Sequence, residues 1–122
     1  MSLYPTRLSA SSLLATGTRA FVLEKPEGFD FSPGQAVDLL LADASEGEAL
    51  QDVRHAFSLV SAPHESHVVL ATRMRDSAYK NRLAALPIGS SLQLDGPFGS
   101  ALVPPAGQRP LVMIAGGIGI TP

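Results

Sequence analysis

Two stretches of this chain carry residue types and spacings that suit an anion. Residues 72–77 read Thr-Arg-Met-Arg-Asp-Ser. Side chains alternate along a strand, so Arg73 and Arg75 share a face, separated by Met74. Ser77 and Ala78 then open a helical pattern, where free backbone N–H groups and the helix dipole favour negative charge. Residues 111–122 read Leu-Val-Met-Ile-Ala-Gly-Gly-Ile-Gly-Ile-Thr-Pro. Glycines such as Gly117 let a backbone turn sharply and approach a ligand. Thr121 suits a helix cap and Pro122 its first turn, and a helix start of that kind holds a pyrophosphate. Pro122 stands where a G-x-G-x-x-G pattern has its last glycine.

Composition narrows the classes. The 122 residues include no cysteine, which excludes disulfides, thiolate metal sites and a cysteine nucleophile, and a reducing cytoplasm is the default location. The three histidines, His55, His64 and His67, fit no familiar zinc spacing, and His64 and His67 read as surface residues. No Ser-His-Asp arrangement or pair of carboxylates stands out. The net charge of −2 argues against a nucleic-acid partner. No basic start leads into an apolar run, and no apolar run approaches the ~18 residues of a membrane span.

These residues need elements to position them, and Gly and Pro punctuation marks six β segments at 7–16, 18–25, 34–42, 54–61, 67–74 and 91–99. Residues 32–35, Ser-Pro-Gly-Gln, carry type II turn chemistry, with Gly34 at the position of positive φ. Residues 43–52 are polar and read as a solvent loop. Residues 76–86 lack breakers, and Tyr79, Leu83 and Leu86 fall at helical spacing behind a cap at Asp76 or Ser77. Lys80 and Arg82 read as solvated helix charges. Residues 104–110 read as a linker, and 111–115 as a strand buried on both faces of a parallel sheet. The pattern predicts a mostly β fold: a six-stranded antiparallel Greek-key barrel over 1–104 with one short helix. Residues 105–122 would add a linker and the first strand and glycine turn of an α/β nucleotide-binding domain.

Four motifs occur in one order: Phe-Ser-Pro-Gly-Gln (31–35), His-Ala-Phe-Ser-Leu-Val-Ser-Ala-Pro (55–63), Asp-Gly-Pro-Phe-Gly (95–99) and the terminal glycine corner. Together they resemble the ferredoxin-NADP reductase-like flavoprotein reductases, in which a six-stranded barrel binds flavin and a following α/β domain binds NAD(P)H. The resemblance implies FAD or FMN on this chain and hydride transfer from NAD(P)H to flavin N5. Electrons would pass to an acceptor such as an iron–sulfur protein, a haem or an oxygenase component. It implies that Phe57 packs against the isoalloxazine, that Ser58 bonds near N5, and that the backbone of Leu59, Val60 and Ser61 meets the flavin's edge or diphosphate. Ser77 matches the second phosphate-binding element, with Arg73, Arg75 and Ala78 beside it. Thr121 would lie close to the nicotinamide and the flavin, Gly117 of the glycine turn would be cofactor-binding, and Phe98 would anchor the domain junction.

Two departures stand out. His55 occupies the place of the family's phosphate-pairing Arg, and Met74 that of a frequent Gly. Arg54 is adjacent to His55, but neighbouring strand residues point to opposite faces, so it does not simply substitute. The expectation is a chain that binds flavin but lacks a complete NAD(P)H site, with a homodimer through the terminal strand as one way to cover its apolar surface. Two other readings remain open: a β-barrel binding module without flavin, and an OB-like barrel using Arg73, Arg75, Lys80 and Arg82 on nucleic acid.

Overall fold

The computed structural model describes residues 2–42, 47–102, 107 and 109–122. The described residues form six antiparallel strands: β1 (Leu3–Ala15), β2 (Thr18–Glu24), β3 (Ala36–Leu41), β4 (Arg54–Ser58), β5 (His67–Arg73) and β6 (Ser91–Phe98). A four-residue helix α1 (Leu50–Val53) precedes β4, and α2 (Ala78–Ala85) lies between β5 and β6. The order in the sheet is β4-β3-β6-β1-β2-β5. β1 belongs to two ladders, pairing with β6 from Leu3 to Arg7 and with β2 from Leu8 to Ala15. A register shift between Leu8 and Ala10 marks the bend from one ladder to the other.

Period-two alternation fills the interior. Val37, Leu39 and Leu41 of β3 point inward, as do Leu92 and Leu94 of β6, Phe21 and Leu23 of β2, and Val68 and Leu70 of β5. α2 closes the barrel's end. Its cap is Ser77, whose Oγ accepts the Lys80 N–H at 3.2 Å. It stops at Ala85 because Pro87 disfavours a helical Leu86. Tyr79 and Leu83, four residues apart, are buried against the strands, and Leu86 packs beside them in part. The Tyr79 hydroxyl donates to the Leu39 carbonyl at 2.8 Å, and burial pushes its ionisation well above the usual range.

The Ser32–Gln35 turn forms as its sequence predicts. The Gln35 N–H donates to the Ser32 carbonyl at 3.1 Å, and Gly34 has φ +93°. The Gln35 amide then donates to the Gly99 carbonyl at 3.0 Å, tying this turn to the loop after β6. The Leu102 N–H donates to the Pro33 carbonyl at 2.6 Å, which brings that backbone hard against Gly34.

Three expectations need correction. β1 begins at Leu3, through Pro5, rather than at residue 7. Residues 3–7 pair with β6 alone, so the missing N–H of Pro5 breaks no second ladder. Leu50–Val53 form a helical turn where a loop is expected; residues 43–46 of that loop lie outside the described residues. Residues 111–115 form no strand and are exposed, because a strand buried on both faces requires neighbours that the described residues do not supply. Most of the 104–110 linker lies outside the described residues.

Two stability outcomes follow. Gly34→Ala places a Cβ 2.6 Å from the Leu102 nitrogen at a φ that L-residues rarely adopt. It should destabilise the fold by about 2 kcal/mol or more in urea unfolding, since left-handed backbone alone costs roughly 1–2 kcal/mol. Tyr79→Phe keeps the ring but removes the buried donor to Leu39, so it should cost about 1–2 kcal/mol in the same measurement. An unchanged midpoint would mean that α2 is not anchored through this bond.

Candidate functional site

β4 and β5 stand at the two ends of the sheet order, and the barrel closes only where they meet. Closure runs through the residues just after β4. The Val60 N–H donates to the Val69 carbonyl at 2.9 Å, and the Val69 N–H donates to Ser61 Oγ at 2.9 Å. Along β4 itself no ladder to β5 forms among the described residues. A depression of about 270 Å³ occupies this seam. β4 lines it with His55, Ala56, Phe57 and Ser58, and β5 with Ala71, Thr72 and Arg73. Arg75 and Lys80 come from the approach to α2 and its first turn. Ile118 and Thr121 come from a 3₁₀ turn, Gly117–Ile120, and its end.

One wall is aromatic. The rings of His55 and Phe57 have centroids 4.8 Å apart, and His55 stacks on Tyr79 at 5.4 Å. Phe57 and Tyr79 are buried, so His55 is the ring that faces solvent. His55 Nδ1 lies 2.8 Å from the Ala56 carbonyl. A carbonyl only accepts, so Nδ1 carries the proton of that bond and Nε2 is left for a ligand.

The other wall is cationic. Arg73 and Arg75 are exposed at the end of β5 and beyond it, as their alternation predicts. Lys80 is a correction: it is only 8% exposed, and its Nζ donates to the Arg73 carbonyl at 2.6 Å. Burial first, and then the charge of Arg75, push its ammonium pKa below the ordinary value. No carboxylate lines this depression among the described residues. Arg82 does face solvent in part and pairs with Glu48 at 2.7 Å.

Arg54 is turned away, as alternation along β4 requires. Its Nε donates to Asp38 at 2.7 Å and its Nη2 donates to the buried Asp95. These two bonds, Asp38's first, raise its pKa further.

The depression gathers His55, Phe57, Ser58, Arg73, Arg75 and Thr121. Leu59, Val60 and Ser61 lie outside its lining. The N–H of Leu59 goes to the Gln35 carbonyl at 3.0 Å, that of Val60 to Val69, and Ser61 accepts from Val69. These hydrogen bonds help to close the barrel. Ser77 spends its Oγ on the helix cap, and Ala78 and Gly117 are exposed nearby in sequence but not in the lining. Sequence reasoning missed Lys80, Thr72, Ala71, Ala56 and Ile118. The available signal for Lys80 was its place three residues after the cap Ser77, on the turn that starts α2. A larger depression, about 400 Å³, is bordered by both Arg7 and Glu24 and by no aromatic residue. It has neither the single charge sign nor the ring wall of the seam.

No protein-family model matches the chain. Among curated proteins it is 32% identical to human Dual oxidase 2 over 123 residues, covering 92% of this chain and 7% of that protein. It is 28% identical to reductase component 1 of a Comamonas terephthalate 1,2-dioxygenase, covering 98% of this chain and 34% of that protein. The chain thus spans a minor part of the curated relatives it matches. Among solved structures, the Neisseria gonorrhoeae ferredoxin NADP+ reductase with bound FAD and NADP superposes with a TM-score of 0.70 at 19% identity, over 80% of this chain and 39% of that one. The ferredoxin reductase in carbazole 1,9a-dioxygenase gives 0.67 at 19% identity, over 80% and 29%. Six antiparallel strands, the helix behind β5 and these neighbours show that the chain has the fold of the barrel domain of the ferredoxin-NADP reductase-like proteins.

Proposed function

We propose that this chain is the flavin-binding half of an NAD(P)H-dependent oxidoreductase, with FAD as its cofactor and FMN as the smaller alternative. One observation carries the reading. The open seam between β4 and β5 joins an aromatic wall to three cations, with no carboxylate in its lining among the described residues. That donor set fits a ligand that is a flat ring at one end and a phosphate at the other. The reductases named above, one of them bound to FAD and NADP, support it.

Each residue then has a task. Arg73 and Arg75 offer planar guanidinium forks to phosphate oxygens. His55 presents its Nε2 to the ligand, in the place where the family has Arg. The His55 and Phe57 rings would pack against the isoalloxazine, and the Ser58 hydroxyl would bond near its reactive N5. Leu59, Val60 and Ser61 hold the seam at a fixed width through their bonds to Gln35 and Val69. A bound flavin would supply the redox chemistry, hydride acceptance from NAD(P)H and electron transfer to a protein acceptor such as an iron–sulfur protein, a haem or an oxygenase component. The protein therefore needs no acid–base residue of its own; it binds, orients and shields the ring. Residues 105–122 are read as the linker and opening of the NAD(P)-binding half, with Gly117 and Thr121 on the nicotinamide side.

The visible spectrum of protein purified with added FAD, then FMN, tests the reading. Bound flavin, released on denaturation, is expected. Arg75→Ala should weaken FAD about tenfold, the scale of one hydrogen bond to a charged group, while riboflavin, which has no phosphate, binds unchanged. A wild-type protein that takes up neither FAD nor FMN would leave the fold assignment standing and remove the function.

A further inference from the structure

We infer that Lys80 is an anion ligand of the seam, its ammonium contacting a diphosphate held between Arg73, Arg75 and His55. The ligand's identity rests on the flavin reading above; its class, a phosphate or diphosphate, rests on the chemistry of these four side chains.

The position of Lys80 is fixed from both ends. Its backbone N–H is held by Ser77 Oγ at 3.2 Å, and its Nζ by the Arg73 carbonyl at 2.6 Å. The long side chain therefore does not extend into solvent from α2. It folds back under the end of β5 and enters the wall of the depression, 8% exposed. An ammonium has three donors, and the Arg73 carbonyl takes one. Burying an ammonium is costly unless it is paired with opposite charge. Here the lining supplies more positive charge instead, from Arg73 and Arg75 beside His55, with no carboxylate among the described residues. Burial and Arg75 both act against the charged form, and an anion in the depression offsets both. A compact point charge at the base, with two guanidinium forks at the rim, matches the distributed charge of a diphosphate.

The test uses inorganic pyrophosphate, FAD and riboflavin with wild type, Lys80→Met and Lys80→Arg. Lys80→Met keeps the bulk and removes the charge; Lys80→Arg restores the charge. The expected result is pyrophosphate and FAD binding weakened about tenfold or more in Lys80→Met, on the scale of a charged hydrogen bond. Lys80→Arg should recover most of it, and riboflavin should be unaffected. In wild type the Lys80 side-chain NMR resonances should move on pyrophosphate titration, a readout that decides the matter even if Lys80→Met does not fold. Unmoved resonances, or a folded Lys80→Met that binds pyrophosphate as wild type does, would overturn the inference. Wild type that binds pyrophosphate through Lys80 but no flavin would keep this inference and discard the flavin reading. Wild type that binds neither would discard both.

Discussion

A barrel is free of sheet edges only where its first and last strands meet. Among the described residues the hydrogen bonds of that meeting run from Val60 and Ser61 to Val69, just past the end of β4. Along β4 itself no ladder to β5 forms among the described residues, and the depression between the two strands is the candidate site. Unpaired strand edges are a liability unless something covers them. A ligand lying along the seam would do so. The same bonds commit the N–H groups of Leu59 and Val60 to Gln35 and Val69.

The second constraint is the two-residue period of β4. Arg54 and His55 are neighbours with opposite fates. Arg54 faces Asp38 of β3 and Asp95 of β6 and links three strands by charge. His55 faces the seam and stacks on Tyr79. A one-residue slip of register would exchange them, leaving two carboxylates beside a histidine and placing a guanidinium in the site. The Asp38–Arg54–Asp95 cluster therefore does more than join strands. It ties Arg54 to one face and so commits His55 to the other.

Much of this was legible in the sequence, and the rest was hidden for identifiable reasons. The strands show because inward apolar residues alternate, as in Val37, Leu39 and Leu41, and because Gly and Pro mark their ends. Helix α2 shows because Tyr79 and Leu83 fall on one face behind Ser77. β1's start at Leu3 was hidden because Pro5 reads as a breaker until its single-ladder position is known. Leu50–Val53 was hidden because a single turn without a side-chain cap leaves no pattern. Residues 111–115 are apolar enough for a buried strand, but strand formation is a property of pairing, and no described residue pairs with them. Within the site, the placement of Arg73 and Arg75 follows from local alternation. Lys80 does not, because helix charges default to solvent, and only the tertiary approach of the β5 carbonyl folds this one inward.

Lys80 also bears on what a net charge can say. The chain carries −2 overall, yet one seam concentrates cations. The four cations that the OB-like reading places on a basic face, Arg73, Arg75, Lys80 and Arg82, are not arranged as one. Arg82 is engaged with Glu48, and Lys80 is buried. Arg73 and Arg75 remain exposed, beside a histidine and a phenylalanine in a pocket rather than along a stripe. A nucleic-acid groove needs cations spaced along a backbone and faces on which successive bases stack. A single depression with a ring wall and a cationic wall suits one small phosphorylated aromatic ligand. The distribution of charge, set by which strand face each residue occupies, carries that distinction; the net charge alone only lowers the odds of a polymer.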